Sequence, residues 1–245
     1  MCEIKTLVYC DLEATGLKNS GRPRITELSL VAVNTESVLD LNAMLLSHLN
    51  QSKLNIDRML PRIMNKLTIC VYPMATIRPE VSGITGLDNY NLSGQSTFDK
   101  ETGVLLNSFL ERLPKPLCLV AHNGGSYDFP LLKAELEKAG IMLPYDTLCA
   151  DSYVGIKEIF KRSEHALQLK NKMDFICVRK PTSYSLTNLH KHLLGCSPIQ
   201  SHGAEVDCLA LMRTTAVLGI EWVNWVKENC NLFSMCTKMW SFQTC

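Results

Sequence analysis

The sequence carries almost no excess of charge of either sign. Its 25 lysine and arginine residues nearly balance 24 aspartate and glutamate residues, which leaves a formal net charge of +1 over 245 residues. That balance excludes a generally basic nucleic-acid-binding protein, so any site for a polyanion has to be a local patch. Hydrophobic residues make up 46% of the chain, which is enough for a full core and argues against disorder.

Long apolar runs are also missing. No run reaches the roughly 18 residues of a membrane helix, so we expect no transmembrane segment and no membrane partner. The residues Met1–Lys5 lack the apolar stretch of a signal peptide. The 11 cysteines form no Cys-x-x-Cys pair, which argues against structural zinc and favours buried, reduced thiols. We therefore expect a soluble protein of the cytoplasm or the nucleus.

The first part of the chain reads as the start of a sheet. The apolar, β-branched segments Thr6–Asp11 and Glu27–Val33 flank a turn rich in glycine, proline and asparagine, which predicts a β-hairpin. Lys66–Tyr72 is a third strand candidate, ended by Pro73. The residues Asn34–Asn65 show little periodicity and are interpreted as a long connection, which is unusual in a compact domain.

The rest of the chain alternates predicted strands and helices. Strands are expected at Leu117–Ala121 and Thr147–Ala150, and the polar, basic segment Ser163–Thr182 is interpreted as a flexible loop. Apolar spacing predicts helices at Thr97–Leu113, Tyr127–Ala139, a segment ending near Arg162, Ser185–Leu194, Ala204–Leu218 and Ile220–Asn229. This order predicts an α/β fold with a mixed β-sheet flanked by α-helices.

Four acidic residues stand where predicted strands end or helices begin. Asp11 and Glu13 are two residues apart at a strand end, so their side chains share one face. Asp128 follows a buried strand, and Asp207 lies in the first turn of a helix. Each acid taken alone fits an ordinary strand end or helix first turn. Together they mark the edge where an α/β sheet forms its functional crevice.

Four carboxylates in one crevice require positive charge from elsewhere. They would repel one another and raise their own pKa values unless cations neutralise them. Oxygen ligands select hard ions such as Mg²⁺ or Mn²⁺ over zinc. A cluster that holds two such ions about 3.5–4 Å apart is suited to in-line hydrolysis of a phosphodiester. The acids therefore predict a metal-dependent nuclease.

His202 is the candidate general base. It precedes Asp207 by five residues, and Gly203 between them allows His202 to belong to a loop that folds back over the site. A neutral imidazole can take a proton from the attacking water near neutral pH. His122, which follows a core strand, is interpreted as a structural residue.

Three motifs now stand out together. They are Asp11-Leu-Glu-Ala-Thr-Gly-Leu, His122-Asn-Gly-Gly-Ser-Tyr-Asp-Phe-Pro-Leu-Leu and His202-Gly-Ala-Glu-Val-Asp, and they resemble the exonuclease motifs of the DEDDh superfamily. Thr26-Glu-Leu, Cys118-Leu-Val-Ala-His-Asn-Gly and Ser183-Tyr-Ser-Leu are similar to features of the three-prime repair exonucleases (TREX). The similarity covers most of Lys5–Val226. It implies a ribonuclease-H-like sheet, two Mg²⁺ ions for which Mn²⁺ can substitute, and removal of nucleotides from DNA 3′ ends.

The resemblance also implies a role for each catalytic residue. Asp11 would bridge both metals, Glu13 and Asp207 would hold the metal that activates water, and Asp128 would hold the leaving-group metal. His202 would be the general base. An exonuclease domain is expected over residues 1–230, followed by a C-terminal tail at 231–245.

Substrate and partner contacts follow from the same resemblance. The pocket for the 3′-terminal nucleotide would be bounded by Ala14, Thr15, Leu17, Ile84 and Tyr127, together with Glu13 and His202. Single-stranded 3′ ends are the expected substrate, and a homodimer joined through edge strands is expected, with Lys66–Tyr72 as the candidate edge strand. The family's basic loop corresponds to Ser163–Thr182, which here carries only Lys170, Lys172, Arg179 and Lys180.

Two other functions stay open at this point. One is an exonuclease of the same superfamily that trims RNA, which a comparison of matched DNA and RNA substrates would separate because the 2′-OH discriminates them. The other is a catalytically silent nucleic-acid-binding module on the same fold. The intact set of four acids and His202 argues against the silent module.

Overall fold

A computed structural model describes residues 3–18, 21–49, 56–169, 180–198 and 202–240. Its sheet contains β1 (Thr6–Ala14), β2 (Ile25–Asn34), β3 (Asn65–Cys70), β4 (Leu117–Ala121), β5 (Leu148–Asp151) and β6 (Asn231–Leu232), in the order β3-β2-β1-β4-β5-β6. β1 pairs antiparallel with β2 and parallel with β4, β4 and β5 are parallel, and the β2–β3 and β5–β6 pairs are antiparallel. The predicted mixed sheet is confirmed.

Eight helices are described around this sheet. They are α1 (Thr35–Leu49), α2 (Pro79–Thr85), α3 (Lys100–Glu111), α4 (Asp128–Lys138), α5 (Ser152–Leu169), α6 (Leu186–Leu194), α7 (Ala204–Ala216) and α8 (Gly219–Asn229). Helices α1 and α5–α8 contribute to the apolar core on one face of the sheet, and α3 and α4 contribute to the core on the other. The predicted flanking layers are confirmed.

β1 is the central strand because it has apolar residues on both faces. Leu7 and Tyr9 belong to the core on the α7 side, and Val8 and Cys10 belong to the core on the α4 side. A strand alternates its side chains between faces with a period of two. Asp11 therefore continues the row of Leu7 and Tyr9 onto the face that α7 covers.

Two connections differ from their predicted structure. The connection Asn34–Asn65 begins with helix α1, which buries Val38, Leu41 and Leu45 against the sheet; these positions have helical spacing that the mixed surroundings concealed. The segment Ser163–Thr182 is helical up to Leu169, because its first residues include the good helix formers glutamate, alanine, leucine and glutamine. Residues 170–179 lie outside the described ranges.

Smaller differences have local causes. The helix predicted at Thr97–Leu113 starts at Lys100, because the side chain of Asp99 accepts a hydrogen bond from the backbone N–H of Thr102 and caps the helix there. Helix α2 escaped prediction because it is only one to two turns long. It begins with Pro79, a residue favoured at the first helical position.

The last described segment lies against the sheet. β6 pairs with β5, the buried Phe233 contacts Phe129 edge to face, and the indole N–H of Trp240 donates to the Pro23 carbonyl. The domain boundary at residue 230 stays a prediction. Within the described ranges, none of the helices combines the length and the apolar content needed to cross a bilayer.

Candidate active site

The carboxyl ends of β1 and β4 form one edge of the site. Their parallel register pairs Tyr9 with Val120, so β1 continues past the end of β4 and carries Asp11 and Glu13 to this edge. β1 stops where its pairing with β2 shifts register after Glu13. Asp128 begins helix α4 after the loop that leaves β4, and its side chain is buried at 6% exposure.

The start of helix α7 supplies the other side of the site. The backbone N–H of His202 donates to Oδ2 of Asp207 at 3.1 Å, and the N–H of Asp207 donates to the Gly203 carbonyl at 3.0 Å. His202 itself, rather than Gly203, has a left-handed backbone, with φ of 75°. Histidine is among the residues that tolerate this conformation best. The loop thus returns His202 to the helix that carries Asp207.

Three of the predicted residues could hold a metal ion together. One ligand atom each from Glu13, His202 and Asp207 lies within 4.8 Å of the other two. The two carboxylates and the imidazole offer oxygen and nitrogen donors, and the oxygen donors suit a hard divalent cation. Asp11 stands on the same face two residues before Glu13, with Asp128 close enough to repel its charge.

The pKa values of all four acids are raised. Burial, followed by repulsion from neighbouring carboxylates, raises the pKa of Asp11 well above its ordinary value. Burial and the charges of Asp207 and Glu27 raise the pKa of Glu13 to about 7. Burial also raises the pKa values of Asp128 and Asp207. Within the described residues, no lysine or arginine forms an ion pair with any of the four.

The loop that precedes Asp128 is held by a residue absent from the predicted site. Asp151, at the end of β5, accepts backbone hydrogen bonds from Asn123 at 3.0 Å and Gly125 at 3.1 Å. A carboxylate directly after a predicted strand was the available signal. His122 uses both ring nitrogens elsewhere, one with the Ser152 hydroxyl and one with the Tyr184 carbonyl. These contacts fit the structural role expected for His122.

A cavity of about 740 Å³ opens beside Glu13. Five of the predicted nucleotide-pocket residues line it, namely Glu13, Ala14, Leu17, Ile84 and Tyr127, whereas His202 does not. Leu17 and Ile84 are exposed to 74% and 57%, an arrangement that leaves apolar surface free for a ligand.

Two other residues complete the description of this cavity. Thr15 is buried and does not line it; its hydroxyl accepts a hydrogen bond from the Arg24 backbone N–H at 3.1 Å. Arg78 also lines the cavity and was not predicted. The signal in the sequence was a basic residue directly before Pro79, which the structure shows to be the first residue of α2.

The chain resembles known exonucleases in sequence. No protein-family model matches it. It is 37% identical over 247 residues to three-prime repair exonuclease 1 of Bos taurus, covering 98% of this chain and 72% of the relative. It is 34% identical over 226 residues to three prime repair exonuclease 2 of Mus musculus, covering 91% of this chain and 88% of the relative.

Solved structures show the same fold. An E. coli ExoI–single-stranded DNA complex in its zinc-bound form matches 92% of this chain with a TM-score of 0.62 and 15% identity, and the chain spans 43% of that protein. Cell-death related nuclease 4 matches 94% of this chain with a TM-score of 0.59 and 14% identity, over 67% of its own length. These likenesses confirm the predicted ribonuclease-H-like fold.

Proposed function

The chain belongs to the three-prime repair exonuclease family and is a 3′→5′ DNA exonuclease, and we propose that the acidic cluster beside His202 is its active site. The catalytic set would be Asp11, Glu13, Asp128, His202 and Asp207. One observation carries this proposal: one buried and three half-buried carboxylates converge on one edge of the sheet, and no basic side chain of the described residues pairs with them. With its acids ionised, such a cluster is stabilised by cations that bind to it.

The donor set fits two Mg²⁺ ions, with Mn²⁺ as a substitute. Asp11 would contact both ions, Glu13 and Asp207 would hold one, and Asp128 would hold the other. When bound, these cations supply Lewis-acid activation of the attacking water and stabilise charge on the phosphate. The carboxylates would fix where the scissile phosphate sits, because Glu13 also lines the cavity that would receive the end of the substrate.

His202 would act as the general base. Its imidazole takes the proton of the attacking water, and it is exposed enough to pass that proton to solvent. The hydrogen bond from the backbone N–H of His202 to Asp207 keeps the imidazole beside Asp207 and Glu13.

The cavity beside Glu13 would receive the 3′-terminal nucleotide. Leu17 and Ile84 would pack on the last bases, Tyr127 would stack on them, and Ala14 would bound the pocket. Thr15, which does not line the cavity, would support this segment through its hydrogen bond with Arg24. The hydroxyl of Tyr127 donates to the Gly16 carbonyl, which holds the ring in place. Stacking tolerates any base, so a single-stranded DNA end of any sequence fits this pocket.

A homodimer is the proposed assembly. β3 is one of the two edge strands of the described sheet, and all six of its residues are exposed or half-buried. An exposed edge can pair with the same edge of a second copy, and twofold pairing closes without forming filaments. Light scattering at micromolar concentration should give twice the chain mass of 27.5 kDa. A species of one chain mass only would contradict the dimer.

Organisation and location complete the proposal. Residues 1–230 would form the exonuclease domain and 231–245 an appended segment, of which Asn231–Leu232 pairs with β5. We place the enzyme in the cytoplasm or the nucleus.

Digestion of matched oligonucleotides tests the proposed substrate. Single-stranded DNA labelled at its 5′ end should shorten one nucleotide at a time with Mg²⁺, and it should stay intact with EDTA. RNA of the same sequence should be degraded much more slowly. Faster cleavage of the RNA would favour the RNA-trimming exonuclease, and binding of both without cleavage would favour the silent module.

A further inference from the structure

We propose that Glu27 is a positioning residue that fixes the first turn of helix α7 and thereby the places of His202 and Asp207. This inference rests on the catalytic roles proposed above for His202 and Asp207. Glu27 itself is on β2, where it pairs with Glu13, and it does not line the cavity.

The position of Glu27 is electrostatically unfavourable, because it faces another carboxylate. Its direct partner in the β1–β2 ladder is Glu13, so two carboxylates stand opposite each other on one face of the sheet. Like charges opposite each other destabilise a sheet. A compensating contact is therefore expected on Glu27.

That contact is with the start of α7. The backbone N–H of Ala204, the first residue of the helix, donates to Oε2 of Glu27 at 2.8 Å. The residue before it, Gly203, has no side chain with which to cap the helix. Ala204 is fully buried, so water cannot replace a lost acceptor. A carboxylate from a neighbouring strand thus does the work of the missing cap.

The hydrogen bond between Ala204 and Glu27 can set the positions of both catalytic residues. Ala204 follows His202 by two residues and precedes Asp207 by three, and the hydrogen bonds between His202, Gly203 and Asp207 join them in one turn. A displacement of the Ala204 amide would move both catalytic side chains. A misplacement of about 1 Å in a catalytic group can cost 10²-fold in rate.

Glu205 provides a second and weaker tether on the same turn. Its carboxylate accepts hydrogen bonds from Lys66 at 2.8 Å and from Thr68 at 3.2 Å, both on β3. The Lys66 and Glu205 side chains are each 37% exposed, and exposed ion pairs contribute little. Glu27 is therefore the tether whose loss should change the geometry of the turn.

A matched pair of substitutions isolates the acceptor atom. Glu27→Gln keeps an oxygen that can accept from Ala204, and Glu27→Met fills the same space without a hydrogen-bonding oxygen. On saturating single-stranded DNA, we expect Glu27→Met to lower kcat by about 10–100-fold with little change in KM. Glu27→Gln should stay within about threefold of the parent. Glu221→Met, at an exposed acid in the first turn of α8, controls for the loss of one carboxylate.

A readout without substrate completes the test. In the metal-free protein, amide exchange measured by NMR should show the Ala204 N–H protected in the parent and in Glu27→Gln, and exchanging at least tenfold faster in Glu27→Met. An unchanged kcat in Glu27→Met, or equal losses in Glu27→Gln and Glu27→Met, would overturn the proposal. Asp207→Asn run in parallel separates the two levels, since its retained activity would refute the proposed active site and leave the exchange result to decide the tether.

Discussion

Helix α4 carries two buried acids that the molecule treats in opposite ways. Glu135, two turns after the helix start, is fully buried and faces Arg24, whose Nη2 donates to it at 3.0 Å and whose Nε makes a second hydrogen bond. Asp128, at the start of the same helix, is nearly as buried, but its charged neighbours are other acids. Burial of a carboxylate therefore does not itself mark a site.

The difference lies in what neutralises each acid. A buried carboxylate with a fork-shaped arginine partner is a completed structural pair. Trp240 covers this pair, with its ring 5.9 Å from the Arg24 guanidinium. At the other end of α4 the protein supplies no such cation among the described residues, and burial raises the pKa of Asp128. From this contrast we infer that an external cation binds at the Asp128 end of α4, where the carboxylate has no basic partner.

Removing one carboxylate from the acidic cluster should have the largest effect. Asp207→Asn should abolish turnover, because it removes a charged ligand from the cation site, although the amide oxygen can still accept the hydrogen bond from the His202 N–H. DNA binding with Ca²⁺ should be largely retained, since most backbone contacts remain. Near-normal rates of digestion for this variant would show that the cation site is elsewhere.

Loss of the imidazole should have the next largest effect. His202→Ala should lower the chemical step by about 10²–10⁴, the range of a general base, while divalent-cation affinity measured by calorimetry changes little. His122→Ala, measured beside it, should act on thermal stability because both His122 nitrogens make structural hydrogen bonds. If His202→Ala instead loses cation binding, His202 is a ligand.

Removing a carboxylate charge should lower the stability of the folded protein at the arginine-paired Glu135 and raise it at Glu13, which has no basic partner. Glu135→Gln should destabilise the protein by about 3–5 kcal/mol, because it leaves Arg24 without its charge partner. Glu137→Gln, at an exposed acid on the same helix, should cost no more than about 1 kcal/mol. Glu13→Gln should raise the melting temperature of the metal-free protein at pH 8. A lower melting temperature for Glu13→Gln at pH 8 would contradict the proposed difference between Glu13 and Glu135.

The pH dependence follows from the same contrast. Because the folded protein raises the pKa of Glu13 from 4.5 to about 7, folding is favoured by protonation of this group. Its contribution is complete below about pH 4.5 and is lost as the pH rises through 7. Metal-free protein should therefore melt at lower temperature at pH 8 than at pH 6, and Mg²⁺ should remove that loss. The difference should shrink in Glu13→Gln.

The smallest effect is expected from the basic segment between α5 and α6. Changing Lys170, Lys172, Arg179 and Lys180 to alanine should weaken DNA binding at low salt and reduce the salt slope by about 0.7 for each lost phosphate contact, with the saturated rate nearly unchanged. Of the four, Lys180 lies within the described residues and is exposed.

Two lysines at the other end of β1 provide the control for that prediction. Lys5 and Lys227 lie together beside a different cavity, and replacing both with alanine should leave the salt slope unchanged. If the four substitutions in the basic segment also leave the DNA affinity and its salt slope unchanged, the basic surface that binds DNA has to be sought around Lys157, Lys161 and Arg162.

Local periodicity explains which parts of this molecule could be predicted. The alternation of β1 correctly puts Asp11 and Glu13 on one face, and the glycine before α7 marks where that helix starts. The mixed sheet followed from the order of strands and helices. Helix α1 was missed because its apolar positions are diluted by polar ones in a weakly patterned stretch.

Contacts between distant parts of the chain could not be predicted. Asp151 holds a loop 26 to 28 residues away, and Glu27 reaches a backbone amide 177 residues away. No local pattern encodes such partners, because they depend on how β2, β5 and α7 come together. The same limit applies to Thr15, which sequence similarity assigned to the pocket and the structure pairs with Arg24.

Anomalous diffraction from crystals grown with Mn²⁺ and a nucleoside monophosphate tests the central claim most directly. Two strong peaks are expected among the carboxylates of Asp11, Glu13, Asp128 and Asp207, and none beside the Arg24–Glu135 pair. Asp207→Asn crystals should lose or weaken the peak shared with Glu13. Mn²⁺ peaks confined to other parts of the molecule, with the four carboxylates left bare, would contradict the account.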